Sequence, residues 1–139
     1  MTIVVGWVPK PEGDAALGRA LAEAQVWGED VLVVNASSGS SYADPAYATS
    51  AQLSDLRERL ANSGVQHQVR QELRGRQPSD EVVAAAEETD ASMVVIGLRH
   101  RSSVGKFLLG SSAQEILMAV RCPVLCVPAE ERVSRWRTH

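Results

Sequence analysis

Short apolar runs alternate with segments of helical period along the chain, and this alternation predicts an α/β fold: a five-stranded parallel sheet with helices on both faces. Two further observations point the same way. The runs Ile3 to Val8 and Met93 to Ile96 are apolar throughout, as strands covered on both sides must be, and Val31 to Ala36 is a short β-branched run. At 139 residues and 45% hydrophobic content the chain can bury one core and has no room for a second, so a single domain is expected over 1–129, followed by a polar tail over 130–139.

The elements follow in order. Ile3 to Val8 is the first strand, punctuated by Pro9 and Pro11. From Glu12 the period changes, with Leu17, Ala20, Leu21 and Ala24 forming the stripe of a helix that ends near Gly28. Val31 to Ala36 is the second strand. Ser37 to Ser50 has no sustained period and reads as a mobile loop over the carboxyl end of that strand, with Tyr42 and Tyr47 able to order it on a ligand or partner. Leu53, Leu56 and Leu60 mark a second helix, stopped at Asn62-Ser63-Gly64. Val65 to Leu73 alternates apolar and polar positions, which places it half buried at a sheet edge.

Pro78-Ser79-Asp80-Glu81 starts a third helix, with Val82, Val83, Ala86 and Thr89 on its inner face and Asp90 at its close. Met93 to Ile96 is the most apolar run and is expected inside the sheet. It ends at Gly97 and leads into a cationic loop. Ser111 and Ser112, with Gln114 and Glu115 three residues on, form two overlapping capping-box candidates for a fourth helix, whose expected buried stripe is Ala113, Ile116, Leu117 and Val120. Val124 to Val127 is the fifth strand. Crossovers between parallel strands are right-handed, and ligands of such sheets sit at the carboxyl ends of the strands, where strand order reverses.

Composition narrows the partners. Fourteen Lys and Arg against 17 Asp and Glu give a net charge of -3, an ordinary mildly acidic balance that offers no overall attraction for nucleic acid or anionic lipid. No run approaches the roughly 18 to 20 apolar residues of a spanning helix, and MTIVVGWV has no basic segment ahead of it, so a cytoplasmic protein is expected. Cys122 and Cys126, the only cysteines, lack the spacing of a zinc site and read as reduced core thiols. The segment Glu130 to His139 reads as a solvated tail.

Function points to the loop between Gly97 and Ser112. Gly110 is read as permitting close backbone approach to a ligand. The unpaired N–H groups opening the helix behind it are donors aimed at negative charge. Gly97 is read as ending its strand and keeping space clear. Ser111 and Ser112 supply further donors, and Arg99, His100, Arg101 and Lys106 are candidates for charge-assisted contacts, with Ala36 and Ile96 as apolar walls for a base. His67 reads as structural. Competing motifs fail: Gly105-Lys106 is followed by Phe107 and lacks the earlier glycine of a P-loop, no Gly-x-Gly-x-x-Gly follows the first strand, and no serine sits in a Gly-x-Ser-x-Gly elbow. Nothing identifies a general base or a metal-binding carboxylate, so no catalytic or metal residue is assigned and the chain is not expected to be an enzyme.

These residues carry a resemblance. The opening IVVG strand, Asp90 to Gly97 as Asp-x-x-x-Val-Ile-Gly, Gly110-Ser111 before the last helix and the CPVL strand are similar to those of the universal stress protein family over nearly the whole chain. The family's nucleotide motif is Gly, two residues, Gly, nine residues, Gly, then Ser or Thr; Gly97, Gly110 and Ser111 match it, and His100 stands at the middle glycine. Where the family's first strand ends in Asp-Gly-Ser, this chain has Val8-Pro9-Lys10, so Val8 and Pro9 occupy the nucleoside-holding turn with Val8 in place of the Asp. The resemblance implies a Rossmann-like fold of the adenine nucleotide alpha hydrolase type with strand order 3-2-1-4-5, homodimers formed through the last strand (Val124 to Val127), and ATP or another adenine nucleotide as a regulatory ligand. The alternative it leaves is an interaction module of the same fold that binds no nucleotide.

Overall fold

The structure is a computed structural model and describes residues 1–37, 39, 44–73, 75–100 and 107–129. The tail over 130–139, Tyr42, Arg101 and Lys106 lie outside the described residues, as does the side chain of His100.

The elements in chain order are β1 (Thr2–Gly6), α1 (Pro11–Trp27), β2 (Asp30–Ala36), α2 (Ser50–Ser63), β3 (His67–Glu72), α3 (Pro78–Thr89), β4 (Met93–His100), β5 (Phe107–Leu108), α4 (Ser111–Ala119) and β6 (Val124–Pro128). Five strands pair in parallel in the order β3-β2-β1-β4-β6, so the fifth parallel strand of the sequence reading is β6. The sequence reading had no counterpart for β5, a two-residue strand antiparallel to Arg99–His100. Phe107-Leu108 is too short a run, set behind a polar loop, to carry a period.

Alternate side chains of each inner strand face opposite layers. Ile3, Val5, Val31, Val33 and Val95 pack with Leu17, Ala20 and Leu21 of α1 and with Leu56 and Leu60 of α2. Val4, Leu32, Val34, Val94 and Ile96 pack on the other side with Val82, Ala85 and Ala86 of α3 and with Ala113 and Ile116 of α4. Each Leu or Val wholly removed from water here contributes about 1.5–3 kcal/mol, which explains why the strands read as unbroken apolar runs. β3 forms one border of the sheet, with Gln68 exposed and Arg70 paired to Glu88 of α3 at 2.8 Å.

Helix ends follow local chemistry. Gly28 and Gly64 adopt left-handed backbone (φ 66 and 73) just past α1 and α2, the conformation that glycine takes at least cost. Asp90 does the same after α3 with φ 49. Thr49 and Gln52 make a reciprocal capping box at the start of α2, one that Thr-x-x-Gln spells in the sequence and the reading overlooked.

Several expectations need correction. The first strand stops at Gly6 rather than Val8: Trp7 N–H still donates to the Val34 carbonyl, but the Lys10 N–H then closes a turn on the Val8 carbonyl at 2.8 Å. The fourth strand does not end at Gly97 but runs on to His100, because β5 gives it a partner there. On α3 the buried residues are Ser79, Glu81, Val82, Ala85 and Ala86, with Thr89 only half buried. On α4 only Ala113 and Ile116 are buried, whereas Leu117 is 39% exposed and Val120, past the helix end, is half buried. The capping boxes at Ser111 and Ser112 do not form: Gly110 is the N-cap, without a side-chain bond, and the Glu115 carboxylate instead accepts from the Ser79 hydroxyl. Cys122 and Cys126 are free thiols, half buried rather than core, and partial burial pushes both thiol pKa values up.

Candidate functional site

A cavity of about 290 Å³ opens at the carboxyl end of the sheet, between β1 and β4. That is the point where connections turn from one side of the sheet to the other, and adjacent loops diverge there to leave a crevice. Its floor is Gly6, Ile96 and Gly97. Val34 and Ala36 from β2 form the wall on one side, with Ala46 beside them, and Gly110 to Ala113 form the wall on the other.

One buried side chain fixes the β2 wall. Asn35, wholly buried, donates through Nδ2 to the carbonyls of Trp7 (3.0 Å) and Ala46 (2.8 Å). Its Oδ1 accepts from the Ala48 N–H (2.9 Å) and from Nε2 of Gln71 (3.1 Å), and Gln71 also donates to the Ala48 carbonyl at 2.9 Å. The Trp7 and Ala46 carbonyls and the Ala48 N–H thereby gain partners, and Gln71 gains a second acceptor. The described part of the loop after β2, Asp44 to Thr49, is held by this network instead of hanging free as expected. The sequence does carry the signal, a lone Asn inside an apolar strand.

Three helices open onto the cavity, and they are chemically unequal. α1 and α3 begin with Pro11 and Pro78, which have no N–H to offer, and their first turns already hold Glu12 with Asp14 and Asp80 with Glu81. α4 begins with Ser111 and has no acidic residue in its first turn. The Gln114 N–H donates to the Gly110 carbonyl at 3.0 Å, which leaves the amides of Ser111, Ser112 and Ala113 without helical acceptors. Of the three helix mouths, the one at α4 attracts an anion. Arg99 projects from β4 to the same end, where its Nη2 is 3.8 Å from the place a Cβ on Gly110 would occupy.

The candidate residues are distributed as follows. Val8, Ala36, Ile96, Gly97, Arg99, Gly110, Ser111 and Ser112 line the cavity, and Pro9 does not. Arg101 and the side chain of His100 lie outside the described residues. Lys10, Glu12 and Ser79 also line it and were not singled out from sequence. The glycines have roles other than those expected. A Cβ on Gly97 would lie 2.1 Å from the Glu12 carbonyl oxygen, so its missing side chain makes room for α1 and not for open space. Gly110 has φ -70 and ample room, so its backbone does not require glycine. His67 is structural as read, its Nδ1 donating to the Val65 carbonyl at 2.8 Å.

Comparison with known proteins gives the family. The profile of the universal stress protein family matches residues 1–128. A universal stress protein of Mycolicibacterium smegmatis is 41% identical over 125 residues, which cover 90% of this chain and 95% of that one. The chain belongs to the universal stress protein family. Among solved structures, a universal stress protein from Archaeoglobus fulgidus superposes with a TM-score of 0.74 at 28% identity, covering 91% of this chain and 96% of that one. A universal stress protein solved in complex with cAMP superposes with a TM-score of 0.68 at 23% identity, covering 94% and 98%. Two further solved members are described with dAMP and with AMP bound. The fold of this universal stress protein is therefore that of its solved relatives, Rossmann-like with strand order 3-2-1-4-5. Among the described residues no three His, Cys, Asp or Glu side chains cluster as metal ligands, and no helix is long and apolar enough to cross a membrane.

Proposed function

We propose that this universal stress protein is a cytoplasmic homodimer that binds an adenine nucleotide as a regulatory ligand, ATP or AMP, with little or no turnover. The observation that carries the reading is the unequal set of helix mouths: one cavity receives three helix starts, and α4 alone opens with an N–H at its first residue and no acidic side chain in its first turn. A phosphate at Ser111 and Ser112, with Arg99 beside it, places a base against Val34, Ala36 and Ile96 across the sheet. Solved family members that hold cAMP, dAMP and AMP support the choice of an adenine nucleotide.

Calorimetric titration with ATP, AMP and cAMP tests it. Binding by at least one of them is expected, weakening about tenfold in Arg99→Ala through loss of a charge-assisted contact. Absence of binding of all three at millimolar ligand overturns the nucleotide assignment and leaves a dimerisation module.

The dimer reading rests on the border opposite β3. There β6 lies at the edge of the parallel order with Val124, Leu125 and Cys126 only half buried, and α4 presents Leu117 and Met118, the latter 88% exposed. Light scattering at micromolar concentration is expected to give twice the mass of the chain. A monomer there removes the dimer.

A further inference from the structure

The phosphate reading leaves two charged residues of the cavity unused, Lys10 and Glu12, and only the second is acidic. Glu12, in the first turn of α1, lines the cavity and is half exposed, and no described residue gives its carboxylate a hydrogen bond or ion pair. Its position is fixed by contact with the sheet: its carbonyl oxygen and Cβ lie 2.1 and 2.9 Å from where Gly97 would carry a side chain, so the first turn of α1 rests on β4. Across the sheet the order is β2, β1, β4, with α4 beyond. Glu12 thus stands between the apolar wall of Val34 and Ala36 and the anion-accepting end of α4.

An ionised carboxylate only accepts hydrogen bonds, and one set beside a phosphate site costs affinity unless the ligand offers it donors. Between a base and a phosphate, the donors of a nucleotide are the sugar hydroxyls. We propose that Glu12 is a specificity-determining residue that accepts from the 2′- and 3′-hydroxyls of a ribose, so that the site selects ribonucleotides over sugars lacking those groups. This rests on the nucleotide reading above.

Calorimetry with AMP and with 2′,3′-dideoxy-AMP, on the parent chain and on Glu12→Ala and Glu12→Gln, separates the two claims. The parent is expected to prefer AMP by about tenfold or more, the scale of a hydrogen bond to a charged group. In Glu12→Ala that preference vanishes, because AMP weakens while the dideoxy analogue is unaffected; Glu12→Gln, whose amide oxygen still accepts, keeps part of it. An unchanged preference in Glu12→Ala, or tighter AMP binding by that variant, overturns the role of Glu12 while leaving nucleotide binding intact. Failure of the parent to bind AMP, its dideoxy analogue, ATP and cAMP alike removes both claims. Circular dichroism checks that the variants are folded, and no described bond depends on the carboxylate.

Discussion

Gly97→Ala is expected to unfold at a markedly lower temperature and urea concentration than the parent chain. The added Cβ would sit 2.1 Å from the carbonyl oxygen of Glu12 and 2.5 Å from its carbon, both backbone atoms of a helix whose first residue is a proline. No rotamer change relieves such a contact, so α1 must lift from β4 or β4 must bend away from β1. Overpacking costs about 1–3 kcal/mol even when side chains give way. A clash with backbone belongs at the upper end, about 3 kcal/mol, or roughly 10 °C in melting temperature for a domain of this size. Gly13→Ala meets backbone at a different contact of α1, its Cβ falling 1.8 Å from the Val8 carbonyl oxygen in the turn after β1, and is expected to behave alike. Gly110→Ala is the control: its nearest neighbour is a guanidinium nitrogen at 3.8 Å, and its stability is expected within about 1 kcal/mol of the parent. Equal midpoints for Gly97→Ala and Gly110→Ala would show that the junction of α1 with β4 is not tight.

Asn35→Ala is expected to cost about 3–4 kcal/mol in denaturant unfolding. The truncation takes the Asn35 bond from the Trp7 and Ala46 carbonyls and from the Ala48 N–H, and removes one of the two acceptors of the Gln71 amide; each buried group left unpaired costs about 1–3 kcal/mol, without adding fully. Asn35→Asp keeps the shape but turns an acceptor toward two carbonyls, so it should be no less damaging. Hydrogen exchange supplies a local reading: the Ala48 amide is expected to lose protection in Asn35→Ala while the β4 amides lose it only in proportion to global stability. A loss under 0.5 kcal/mol with the Ala48 amide still protected would mean that the loop after β2 is held by something else.

These two residues also show what could be read from sequence and what could not. Strands and helices were legible because burial on two faces leaves a continuous apolar run and burial on one leaves a stripe: Leu17, Ala20, Leu21 and Ala24 are all in the core. Gly28 and Gly64 were legible because a left-handed residue after a helix is a local requirement. Gly97 was placed but its reason was misread, since contact with Glu12 joins residues far apart in the chain and leaves no local pattern. Asn35 is visible as a lone polar residue in an apolar strand, but its role was not legible because its partners, Trp7, Ala46, Ala48 and Gln71, come from segments distant in the chain. At α4 the serines suggested a side-chain cap, yet Gly110 took the cap position, and that is why the amides of Ser111 and Ser112 remain open. The cavity itself follows from strand order, whereas Lys10 and Glu12 enter it through the placement of α1, which periodicity does not fix.

The two borders of the sheet differ in a way that bears on assembly size. Along β3 the backbone edge is flanked by amides and by the Arg70–Glu88 pair, which are hydrated and resist being stripped of water by a second strand. Along β6 no comparable polar fringe intervenes among the described residues. A particle with two adhesive sides can add copies without limit, whereas one with a single adhesive side uses it up at the first encounter, and a two-fold pair is the closed solution. The polar alternation of β3 would in that case set where growth stops.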